Sequence, residues 1–160
     1  MPTPKSKRAQ SPVEGDFFRI DLGEGLLAHG RILKSPICAF YDAIGDRALD
    51  SAELVKKPIL FKICVMKDAF KTLPWKIIGH AELEALLQRR VWFSKMDSIS
   101  GELTLYSSWQ GKTDEKPATV SQCQKHERAA VWSACHVESR LRDHYAGVPN
   151  RTVENFKKYT

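Results

Sequence analysis

The sequence predicts an α+β domain: a strongly twisted, partly barrel-like antiparallel sheet built from residues 15 to 106, with a long C-terminal helix over about 124 to 145 packed on it. Three observations lead there. Apolar and polar residues alternate through residues 14 to 42, interrupted by Gly23-Glu24-Gly25. Ile59 to Met66 is a nearly unbroken apolar run of strand length. Beyond Val120 the apolar residues recur at three- and four-residue intervals, the period of a helix.

In chain order, Phe17, Phe18, Ile20 and Leu22 open a first strand, the Gly23-Glu24-Gly25 turn accepts positive φ, and Leu27, Ile32 and Leu33 resume the pattern as a hairpin partner. Ile37 to Tyr41 reads as a third strand. Asp42 to Lys57 crosses one end of the sheet, with Asp50 placed to cap a short helical turn. The run from Ile59 reads as a central strand buried on both faces, and Lys76 to Gly79 as a short one. Glu82 to Arg89 has the spacing of a one-sided helix, acidic at its start and basic at its end. Val91 to Ser94 and Glu102 to Tyr106 follow as strands, then a loop from Ser107 to Pro117 that is polar apart from Trp109. On the helix expected after Val120, Ala130, Ala134, Val137, Leu141 and Tyr145 form one stripe. Trp132 falls on the far side with Arg128, Ser139 and Arg142 near it. Gly147 to Asn150 breaks this helix, and Asn150 or Thr152 caps a short last one.

A length of 160 residues suits one domain, read here as residues 14–160 behind a disordered basic tail, residues 1–13. With 42% hydrophobic and 28% charged residues the composition is that of an ordinary globular protein. The net charge of +6 owes three units to Lys5, Lys7 and Arg8, which leaves +3 on the body, too little to require nucleic acid as a partner. No apolar run nears the roughly 20 residues that span a bilayer. No apolar stretch follows the basic N-terminus, so no secretory signal is read and a cytoplasmic location is expected. In that reducing compartment Cys38, Cys64, Cys123 and Cys135 read as free thiols.

Catalytic vocabulary is sparse. The chain has no Gly-rich phosphate loop ending in Lys-Ser or Lys-Thr, no paired histidines around a Glu on one helix turn, and no serine between elbow glycines. Cys123, His126, Cys135 and His136 offer metal-ligand types, but on one helix Cys135 stands about 14 Å along the axis from His126, beyond one ion's reach. No catalytic residue, metal or cofactor is therefore assigned. Each of the pairs Phe17-Phe18 and Phe40-Tyr41 must turn one ring outward on a strand. That ring either lies under a helical lid or stacks a base, so a nucleic-acid-binding small-barrel module is the alternative function. A small enzyme assembled from His29, Asp42 and Glu53 is a more distant rival.

Gly15-Asp-Phe-Phe-Arg-Ile-Asp-Leu22, Ala28-His-Gly-Arg-Ile-Leu33, Ala39-Phe-Tyr-Asp42, the strand Ile59 to Val65 and Trp75 to Gly79 occur in an order and spacing that resembles the immunity protein 26 family of bacterial polymorphic toxin systems. The resemblance covers residues 14 to 80. It implies a non-enzymatic immunity protein that binds a cognate toxin domain, encoded by the neighbouring gene, and neutralises it by stoichiometric occlusion. Trp and Arg dominate interface hot spots, so the expected toxin contacts are Trp132, Arg128 and Arg142 on the helix and Trp109 in the loop. For Trp132 the competing reading is burial beneath a tail helix near Val153 to Tyr159.

Overall fold

The computed structural model describes residues 11–34, 36–43, 45–72 and 74–159. Its elements are β1 (Asp16–Gly23), β2 (Leu26–Ile32), β3 (Ile37–Tyr41), α1 (Ser51–Leu54), β4 (Ile59–Val65), β5 (Trp75–His80), β6 (Phe93–Met96), β7 (Leu103–Trp109), β8 (Lys112–Pro117), α2 (Val120–Cys123), β9 (Val131–Trp132), α3 (Ala134–Ala146) and α4 (Arg151–Phe156). The fold is α+β. Most of the expected tail, residues 1–10, lies outside the described residues; Val13 is tied to Asp16 by its amide and its carbonyl.

A six-stranded sheet runs β5-β1-β2-β3-β4-β9 and a three-stranded one β6-β7-β8. All ladders are antiparallel except β4 with β9. The large sheet does not close as a barrel: β5 and β9 stand at opposite edges, and the space over one face is filled by helix. On that face Phe18, Phe40, Phe61, Ile63 and Trp75 meet Val137 and Leu141 of α3 and Phe156 of α4. The rings of Phe18 and Trp75 stack at 5.4 Å, and Phe70 meets both edge-on. The other face carries two smaller clusters. Leu33, Ile37 and Ala39 pack on Leu83, Leu87, Phe93 and Trp109. Phe17 and Tyr41 pack with Ala43 and Leu54. Both members of each aromatic pair are therefore buried, one under the helices and one under the crossing chain.

Gly30 shows how tightly β2 lies against its neighbours, because a Cβ there would come within 2.2 Å of the Phe18 ring and 2.7 Å of the Ala39 carbonyl. Asp50 caps α1 by accepting the Glu53 amide, and Asn150 caps α4 by accepting that of Val153. Gly147 ends α3 in the left-handed region at φ 72°.

Several expected elements differ. The long helix over 124 to 145 is α3 alone, preceded by an extended strap. Along the strap the Ser94 amide donates to Glu127, the Ala129 amide donates to Ser94, and Val131 and Trp132 then pair with Cys64 and Val65. One stretch of backbone thus ties both sheets together, and those hydrogen bonds override its helical spacing. The loop from Ser107 to Pro117 is instead the end of β7, a two-residue turn and β8; Gln110 and Gly111 both take positive φ, as a primed hairpin turn requires. Glu82 to Arg89 has only a 3-10 turn at Ala85–Gln88, with Leu83 and Leu87 inserted into the core. Strand β4 is next to the edge, with Phe61, Ile63 and Val65 buried and the residues between them half-buried.

Candidate functional site

The polar residues within the strand motifs belong to the scaffold. Arg31 has no solvent exposure, and its guanidinium donates to the carbonyls of Gly15, Ala81 and Glu82 and to both oxygens of Glu84. It also covers the Phe17 ring at 3.8 Å. His29 is equally sealed; its Nε2 accepts the Leu49 amide, and burial lowers its pKa against the opposing pull of a backbone hydrogen bond to Ala43. Glu53 is bound by Arg47 through both oxygens and Asp42 lies 3.8 Å from His144, so His29, Asp42 and Glu53 each serve different local contacts. Among the described residues no group of three or more His, Cys, Asp or Glu is placed to hold a metal ion.

The four expected toxin contacts occupy different settings. Trp132 is on β9, not on a helix, and at 3% exposure its ring is covered edge-on by Phe156 at 5.7 Å. Trp109 closes β7 at 6% exposure in the inter-sheet core. Arg128 lies in the strap before α3 and donates to the carbonyls of Phe156 and Lys158, holding the end of α4. Arg142 is on α3, exposed, with Nε donating to the Leu22 carbonyl at the β1–β2 turn. The structure does not gather these four into one patch, and the two tryptophans offer a partner almost no surface.

Besides an open concavity of about 410 Å³ along Arg142, Glu138 and Asp21, two clefts among the described residues lie where layers of the fold meet. The first, about 420 Å³, lies between the sheets, walled by Ile37, Cys64, Phe93 and Tyr106 and floored by Ala129 to Val131 of the strap. It is mainly apolar, and burial pushes the Cys64 thiol up to about 11, so it stays protonated there. The second, about 300 Å³, lies between β4 and the paired helices α3 and α4. Leu60, Phe61, Val148 and Val153 give it apolar walls, and Arg140, His144 and Asn150 supply polar groups. Arg140 stands three residues beyond Val137, beside the apolar stripe, which was the sequence signal for an inward-leaning cation.

Beyond Pro117 the chain has seven basic and four acidic residues, so the +3 of the body is matched by this C-terminal layer. No described helix is long and apolar enough to cross a membrane.

What the fold and its surfaces define is an α+β domain in which the polar groups of the strand motifs serve the scaffold and clefts lie where its layers meet. The sequence profile of the immunity protein 26 family matches residues 13–104. That is more than half of the chain, and the protein belongs to this family. The match runs from just before β1 to the start of β7; β8, the strap and helices α2 to α4 lie beyond it. No curated protein and no solved structure matches the chain.

Proposed function

We propose that the protein is an immunity protein that binds a toxin domain made by the same bacterium and neutralises it by stoichiometric occlusion, with no chemical step. Family membership over residues 13–104 carries this reading. The layout supports it. Residues within the family match build the sheet and the buried Arg31 network, and the helices beyond it present Arg142, Arg151 and Glu154 to solvent. A partner-specific surface is most economically placed there, because rim charges steer encounter and select partners without disturbing the core. Arg142 is the accessible member of the four expected contacts, and we keep it in the proposed toxin interface. Trp132 and Trp109 act on binding through the scaffold that presents it.

The test is to mix the purified protein with the toxin domain encoded beside it and to measure mass by light scattering and growth on co-expression. A 1:1 complex and rescued growth support the proposal. Free components and unrelieved toxicity contradict it.

A further inference from the structure

Arg140 occupies an unusual position for a cation on a surface helix. Its side chain is only 10% exposed, with the guanidinium over the Phe61 ring at 3.7 Å and 5.1 Å from that of Trp132. A guanidinium has five N–H donors. Among the described residues this one uses Nη1 alone, on Glu127. Nε and Nη2 form the edge that meets a carboxylate through two parallel hydrogen bonds, and neither nitrogen is sealed among the buried unsatisfied atoms. The same residue lines the cleft between β4 and the helices. The side-chain amide in the cleft is occupied: Asn150 donates to Asp143 and accepts from Val153.

We infer that this cleft is a receptor for one acidic side chain of the partner, its carboxylate paired with the free edge of Arg140 and its methylenes lying against Leu60, Val148 and Val153. This rests on the proposed immunity function and names the partner chemistry. The two flanking rings hold the guanidinium in place before binding, so little side-chain freedom remains to be lost when the carboxylate arrives. The surrounding layer has a basic excess, which favours an acidic over a basic partner surface. The inter-sheet cleft is larger, but nothing in its apolar lining selects an occupant.

Two arms test the inference separately from the function. In the first, calorimetry with the neighbour-encoded toxin compares the native protein with Val148→Glu, a change at a half-exposed position that sets a competing carboxylate at the cleft wall. Leu86→Glu, on the opposite face of the sheet, is the control. The expected result is at least tenfold weaker binding for Val148→Glu, unchanged thermal stability, and native affinity for Leu86→Glu. Native affinity for Val148→Glu overturns the inference. In the second arm, the Trp132 indole signal is followed by NMR with N-acetylglutamate or inorganic phosphate as probe. Saturable shifts with N-acetylglutamate that vanish in Arg140→Gln support the cleft even if no toxin complex forms, in which case the functional reading alone fails. No shift, or a stronger response to phosphate, overturns the acidic side chain as occupant.

Discussion

A guanidinium without solvent must find partners inside the protein, and Arg31 finds them on the carbonyls of Gly15, Ala81 and Glu82 and on Glu84. It fastens the start of β1 to the chain that leaves β5. Arg31→Met strands those acceptors, and the expected loss is about 3 kcal/mol or more in urea unfolding; a loss below about 1 kcal/mol would contradict the assignment. His29 gives a pH signature. Its folded pKa lies below the ordinary 6.5, with burial as the largest cause. The unfolded chain therefore binds the proton more readily, and the stability held above 6.5 is lost as pH falls from there through the folded pKa. Native protein should lose more stability between pH 7.5 and 5.5 than His29→Gln, whose amide oxygen can still accept the Leu49 amide. Equal losses in urea midpoints would remove His29 as the source. Both residues stood in recognisable sequence motifs, yet their sealed surroundings were not legible, because their partners at Leu49 and Ala81 to Glu84 are distant in sequence.

At the scale of elements, the strands β1 to β5 followed the sequence closely, since short apolar and aromatic runs bounded by turn residues mark strands that the core buries. Strand β8 is exposed at every position, so nothing apolar marks it, and only Gln110-Gly111 hinted at a hairpin. The strap misled for the opposite reason: Ala129 and Ala130 are good helix formers, and what holds this stretch extended is the Ala129 hydrogen bond to Ser94 and the pairing of Val131 with Cys64, far away in sequence. Ala129→Pro removes the amide that donates to Ser94 and should cost about 1–3 kcal/mol. Trp132→Ala empties a site shared by β9, Arg140 and Phe156, and the expected loss is about 3–5 kcal/mol. Chemical denaturation checks both; native-like midpoints would mean the strap does not join the sheets energetically. Any loss of toxin binding by Trp132→Ala must therefore be compared with its loss of stability.

For the molecule as a whole, a large sheet is faced by helices on one side and by a small sheet on the other, and both clefts open where these layers meet. The family was legible because its motifs lie in the strands that the core dictates. The binding surface was less so, because Arg140 becomes distinctive only when Phe61 of β4 and Glu127 and Trp132 of the strap converge on it. A basic body fits an acidic partner surface, and electrostatic steering should make association slower in high salt. The most direct test of the immunity function is calorimetric titration of the toxin domain encoded beside this protein. A 1:1 complex whose affinity falls at least tenfold with Val148→Glu is the expected result. No heat of binding in that titration, alongside steeply salt-dependent binding of single-stranded RNA, would contradict it.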